Sequence, residues 1–129
     1  MTKKPRLLVV DNEIDICNFV KMFFESRGFD VLTALNGDEA MKVLEHVKPE
    51  IVILDVVMRT EDEGIQYIPK IRAKSPDSRI LMITGVDDKE LVEKAKKLGA
   101  NDYLTKPLVL EYLESTVMGK VKQLSTVKH

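Results

Sequence analysis

Ile51-Val52-Ile53-Leu54-Asp55 is the stretch on which the fold turns. Four consecutive aliphatic residues, three of them β-branched, read as a strand buried on both faces, as in a parallel sheet. Open parallel sheets gather their chemistry at the carboxyl ends of their strands. Asp55 stands at such an end, where a ligand can reach it. The layout recurs at Asp11 after Leu7-Leu8-Val9-Val10, and at Thr84 after Ile80-Leu81-Met82-Ile83. Lys106 follows the shorter apolar piece Tyr103-Leu104. Polar groups from four strand ends can converge on one site.

Outward from these strands, helical patterns fill the gaps. Strand 1 spans about Arg6–Val10, and Ile16, Val20, Phe23 and Phe24 predict a helix from there to about Arg27, stopped by Gly28. Strand 2 lies near Asp30–Ala34. Asn36 suits the N-cap of a second helix with the stripe Ala40, Val43, Leu44 and Val47, ended by Pro49. Ile65, Ile68 and Ile71 predict a third helix. Pro69 lies among them, where it removes a backbone hydrogen bond and kinks the helix unless the helix starts late. Ser75-Pro76-Asp77 reads as a turn before strand 4, about Arg79–Ile83. Asp87 and Glu90 resemble a capping box for helix 4, with Leu91, Ala95 and Leu98 on one face and Gly99 closing it. Strand 5 falls around Asp102–Leu104. A last helix aligns Leu110, Leu113, Val117, Val121 and Leu124.

Alternating strands and helices with short connections require right-handed crossovers, with helices on both faces of the sheet. The expected fold is α/β: a doubly wound, five-stranded parallel sheet of order 2-1-3-4-5, a flavodoxin-like three-layer sandwich. One domain over residues 1–125 and a tail or linker start at 126–129 account for all 129 residues. Twenty basic against twenty-one acidic residues point to neither nucleic acid nor an anionic membrane as a direct partner. The apolar runs are too short for a membrane span, and no apolar segment with a cleavage site opens the chain. The single Cys17 sits in an apolar helical stripe and reads as core in a reducing cytoplasm.

With that strand order, Asp11 and Asp55 flank the crevice where the winding switches direction. Two carboxylates about 4 Å apart repel by roughly 4 kcal/mol at an effective dielectric near 20, and a cation between them relieves this. Hard oxygen donors favour Mg²⁺. Asp55 also suits a nucleophile that forms an aspartyl phosphate, with Lys106 as a point charge and Thr84 as a hydroxyl donor for phosphate oxygens. Plainer roles stand beside these. Asp11 also suits a helix N-cap, Asp55 the start of a polar loop, and Tyr103 a static strand aromatic.

Val9-Val10-Asp11, Ile53-Leu54-Asp55, Ile83-Thr84-Gly85 and Asp102-Tyr103-Leu104-Thr105-Lys106-Pro107 together resemble the receiver domain of two-component response regulators. The resemblance covers nearly the whole chain, with the landmarks in order. It implies that Asp55 accepts a phosphoryl group from a histidine kinase, a phosphotransfer protein or a small phosphodonor, with Mg²⁺ assisting. It implies that Asp11, Asp55 and the Val57 backbone carbonyl hold the metal, and that Thr84 and Lys106 contact phosphoryl oxygens. Thr84 and Tyr103 would form the switch that reshapes the helix 4–strand 5–helix 5 face for a downstream protein or output domain. Any catalysis would be self-phosphorylation and self-dephosphorylation at Asp55. Dimerisation through the same face is a further implication.

Three departures from the family pattern stand out. Asn12 occupies the place of the usual second acid after strand 1, and predicts weakened Mg²⁺ binding and slower phosphorylation. The loop Arg59–Gly64 is strongly acidic and lacks the usual Met-Pro, which reads either as solvation or as tuning of kinase or metal access. Val57 and Val86 offer no hydrogen bond to an attacking water, which predicts slow autodephosphorylation. Asn12 also keeps open a second reading, a phosphate-independent pseudo-receiver that serves as a protein-docking module. A flavin binder of the same topology fits poorly, because Asp11–Asp15 lacks phosphate-cradling Ser, Thr or Gly. An Asp-based phosphatase would want a second Asp where Val57 stands.

Overall fold

Alternating side-chain direction along each strand splits the apolar residues into two cores, one on either face of the sheet. The computed structural model describes residues 4–56, 63–84, 89–105 and 114–121. The elements run β1 (Arg6–Val10), α1 (Ile14–Glu25), β2 (Asp30–Ala34), α2 (Gly37–Leu44), β3 (Ile51–Asp55), α3 (Glu63–Lys74), β4 (Arg79–Thr84), α4 (Lys89–Leu98) and β5 (Asp102–Thr105). Residues 114–121 form a further helix, α5. All the strands pair in parallel in the order β2-β1-β3-β4-β5. Leu8, Val10, Val52, Leu54, Ile80 and Met82 pack against α2, α3 and α4. Their neighbours Leu7, Val9, Ile51, Ile53, Leu81 and Ile83 pack against Cys17, Val20 and Phe24 of α1 and Val117 of α5. The doubly wound sandwich read from the sequence is the observed one.

Several element ends differ from the reading. The first helix closes at Glu25, and the chain turns through residues 26–28 to Gly28, whose φ of +89° lies in the left-handed region that glycine favours. The second helix ends at Leu44, five residues before Pro49, although the Val47 amide still donates to the Val43 carbonyl at 3.0 Å. Its start is as read, with the Asn36 side chain accepting from the Glu39 amide at 2.9 Å. Pro69 sits inside α3, its side chain exposed, while Ile65, Ile68 and Ile71 are buried. Burial of three isoleucines outweighs the one backbone bond that proline deletes. In α4 the buried positions are Val92 and Ala95, with Leu91 and Leu98 half-buried beside them. The helix is thus rotated by about one residue from the stripe its leucines suggested.

The amino end of the sheet is closed by Arg72. Its guanidinium donates to the carbonyls of Pro76, Ser78 and Gly99 and to the Asn101 side-chain oxygen, which also accepts from the Ile80 amide. Burial, and then the charge of Arg79, pull the Arg72 pKa below its ordinary value. Arg72→Leu strands several acceptors at once. Urea unfolding of this variant is expected to show a loss of about 2–4 kcal/mol against the parent, with an unchanged m-value.

Candidate functional site

The site grows from the β1–β3 pairing. Val10 lies beside Leu54 in parallel register, so the next residue on each strand, Asp11 and Asp55, stands side by side at the sheet's carboxyl edge. Neighbouring strands are about 4.8 Å apart, which sets the scale of the separation between these two backbones. Asp55 is also level with Ile83 on β4, and Thr84 comes next. Asp11, Asp55 and Thr84 are 4%, 2% and 0% exposed, in contrast to the ordinary surface position of such residue types. Three adjacent strands therefore deliver three buried polar groups to one edge.

Each group is held by backbone that continues beyond its strand. The Asp11 amide donates to the Ala34 carbonyl at 3.1 Å, carrying the β1–β2 ladder one step further. Asp11 Oδ1 accepts from the Glu13 amide at 2.9 Å. The residue that caps α1 is Glu13, which makes no side-chain cap bond, so Asp11 does not serve as the helix N-cap. The Val56 amide donates to the Ile83 carbonyl at 2.9 Å and extends the β3–β4 ladder past Asp55. The Gly64 amide returns to the Val56 carbonyl at 2.9 Å, which presses the start of α3 onto this strand end. A Cβ on Gly64 would lie 2.3 Å from the Asp55 carbonyl oxygen and 2.6 Å from the Val56 Cα.

Cys17 supports the site from below. Its thiol is 1% exposed and donates to the Asp11 carbonyl at 3.3 Å. Burial, and then the Asp11 charge, push the thiol up from 9.0 to about 11. It stays protonated at neutral pH, in accord with a core residue rather than a nucleophile. The sequence reading placed Cys17 in the core but missed its bond to the backbone of Asp11. It also saw Gly64 only as a shifted loop position. A glycine next to a strand end and a new helix is a signal of close backbone approach.

Asn12 is exposed at the mouth. Tyr103, on β5, is half-buried, with the Lys96 ammonium 5.7 Å from its ring centroid. Asp102 accepts from the Tyr103 amide at 2.8 Å and pairs with Lys120 of α5 at 3.4 Å. Lys106, Val57, Val86, the capping residue Asp87 and most of the acidic loop lie outside the described residues. Among the described residues, no group of three or more His, Cys, Asp or Glu could hold a metal ion. The all-oxygen pair Asp11 and Asp55 nonetheless suits a hard divalent cation in its chemistry. Among the described residues, no helix is long and apolar enough to cross a membrane.

A parallel sheet of order 2-1-3-4-5 with buried acids at the ends of the adjacent interior strands β1 and β3 points to the class of protein. Residues 7–118 match the family model of the response regulator receiver domain. The chain is 36% identical over 114 residues to the chemotaxis protein CheY of Listeria monocytogenes, a match that covers 84% of this chain and 95% of that protein. It is 39% identical over 107 residues to the alkaline phosphatase synthesis transcriptional regulatory protein PhoP of Bacillus subtilis, covering 83% of this chain but only 43% of that one. A response regulator protein from Burkholderia pseudomallei, crystallised with a phosphorylated aspartic acid, a calcium ion and citrate, superposes with a TM-score of 0.81. That pair is 29% identical, and the match covers 97% of this chain and 75% of the other. This chain belongs to the response regulator receiver family of two-component systems.

Gly64→Ala tests how tightly α3 seats on the site. The added methyl meets backbone rather than a mobile side chain, so a destabilisation of about 2–3 kcal/mol in urea unfolding is expected.

Proposed function

We propose that Asp55 is the phosphoacceptor of a two-component phosphorelay. A carboxylate oxygen of Asp55 attacks the phosphorus of a phosphohistidine on a histidine kinase or phosphotransfer protein. The P–N bond breaks, the imidazole leaves with the electron pair, and an acyl phosphate remains on Asp55. The observation that carries this reading is Asp55 at 2% exposure on the end of β3, in register with Asp11 and next to Thr84. The phosphorylated aspartic acid in the Burkholderia pseudomallei relative supports it.

Mg²⁺, when bound by Asp11, Asp55 and the Val57 carbonyl, supplies charge neutralisation for the entering phosphoryl group. Asn12 would add a neutral ligand at best and so weaken that binding. Thr84 donates its hydroxyl to a phosphoryl oxygen, and Lys106 pairs with another. Turning Thr84 toward the phosphoryl opens space that the Tyr103 ring fills, and the α4–β5–α5 face changes shape for a downstream protein or output domain. The chain acts in the cytoplasm in this reading.

Intact mass after incubation with phosphoramidate and Mg²⁺ tests it. One phosphoryl adduct is expected in the parent, and none in Asp55→Asn or in a sample stripped with EDTA. Absence of an adduct under every metal condition would overturn this reading and favour the phosphate-independent docking module that Asn12 keeps open. The role of Asn12 has its own test. Restoring an acid with Asn12→Asp is expected to tighten Mg²⁺ and speed phosphorylation by roughly threefold to tenfold, since affinity for hard cations follows ligand charge. Unchanged metal affinity and rate would remove Asn12 from the metal site.

A further inference from the structure

A closed circuit of hydrogen bonds joins the end of β1 to the start of α1. The Glu13 amide donates to Asp11 Oδ1 at 2.9 Å, and the Glu13 carbonyl accepts from the Cys17 amide at 3.2 Å. The Cys17 thiol completes the circuit by donating to the Asp11 carbonyl at 3.3 Å, with the Ala34 carbonyl 3.8 Å away. The Asp11 amide in turn donates to that same Ala34 carbonyl at 3.1 Å. Amide, carbonyl and carboxylate of Asp11 are thus each tied to a different residue.

A thiol is a weak donor. At 1% exposure, burial keeps water from competing for it, and the low local dielectric strengthens the bond. Its raised pKa keeps the proton in place at neutral pH. Packing alone does not call for a donor here, since Val20 and Phe24 fill the same core from the same helix without one. What the donor fixes is the plane of the peptide between Asp11 and Asn12. The Asp11 carboxylate is thereby held from both sides, by the thiol through the backbone and by the Glu13 amide directly.

We propose that Cys17 is a positioning residue for the cation site, its thiol holding the Asp11 backbone so that the carboxylate meets the cation without rearranging. This rests on the metal role proposed above for Asp11 and Asp55. The hold counts for more because Asn12 supplies no charge, which leaves two carboxylates to carry the attraction.

Mn²⁺ binding to the full, unphosphorylated chain, followed by electron paramagnetic resonance of the free ion, tests this without any turnover. Cys17→Ala removes the donor and is expected to weaken Mn²⁺ by about tenfold, the low end for outer-shell partners of a metal. Cys17→Val, donorless but of fuller volume, is expected to weaken it likewise, which keeps the test open if the smaller side chain loosens α1. Cys17→Ser keeps a donor and is expected to bind as the parent does. Urea unfolding in EDTA gives the packing loss of each variant separately. Equal Mn²⁺ affinity in the parent and all three variants overturns the proposal and leaves Cys17 a packing residue. Equal weakening in all three overturns it too, and traces the effect to the lost sulfur. Asp55→Asn reports on the site itself: parent affinity that this control loses upholds the cation reading whatever Cys17 does. A parent that binds no Mn²⁺ overturns that reading and this inference together.

Discussion

Parallel pairing of β1 with β3 is the constraint on which the rest depends. With Val10 level with Leu54, the two strands run out of aliphatic residues at the same height, and an aspartate follows on each. A one-residue slip would turn the side chains of one strand to the opposite face. Both faces are filled by core residues of defined size, so the register has no freedom. The juxtaposition of Asp11 and Asp55 is therefore a by-product of packing many ångströms of hydrocarbon beneath them. No local contact between the two acids has to create it, which is fortunate, because left to themselves they repel.

Burying such a pair costs stability, and the surrounding backbone shows how the cost is contained. The ladders continue past the strand ends through Asp11 and Val56, and the start of α3 is pinned to Val56 through Gly64. The acids thus stand on backbone with little room to retreat toward solvent. An oxygen-rich edge held in this way fits the cation and phosphoryl roles proposed for it above. A looser edge would relax its repulsion by moving apart and would hold neither.

The strands were legible because each is an unbroken aliphatic run, and a run of that kind has few alternatives in a short α/β chain. The polar residue at each run's end was legible for the same reason, which is how Asp11, Asp55 and Thr84 came to be placed together. Helix ends were harder to read. Asn36 announced itself, since a side-chain cap is a local interaction. Pro49 gave the end of α2 only loosely, since the helix proper closes at Leu44 and a turn follows before the proline. Pro69 lies inside α3 as the stripe implied, and burial of Ile65, Ile68 and Ile71 offsets the backbone bond it deletes. The bond from Cys17 to the Asp11 carbonyl joins residues on a strand end and a helix. The Arg72 cluster spans residues 72 to 101. Contacts of that kind exist only once the fold has formed, and no spacing in the sequence encodes them.

Stability is unevenly distributed between the two ends of the sheet, and this bears on switching. At the amino end, Arg72 ties α3, the turn at Pro76, β4's approach and the loop after α4 into one cluster of charged hydrogen bonds. On α4, β5 and α5, some surface contacts among the described residues are of a weaker kind. A half-exposed tyrosine lies near the Lys96 ammonium, and one partly exposed ion pair joins Asp102 to Lys120. Surface cation–π contacts and ion pairs of this sort are each worth about 1 kcal/mol or less. In the phosphoacceptor reading proposed above, a dianion at Asp55 that gained two charge-assisted hydrogen bonds would have several kcal/mol of differential binding to apply. That would exceed the worth of either surface contact, and would fall short of the four hydrogen bonds of the half-buried Arg72 guanidinium. In that reading, rearrangement would be directed to the face that α4, β5 and α5 share, and the Arg72 cluster would serve as the fixed base against which it moves.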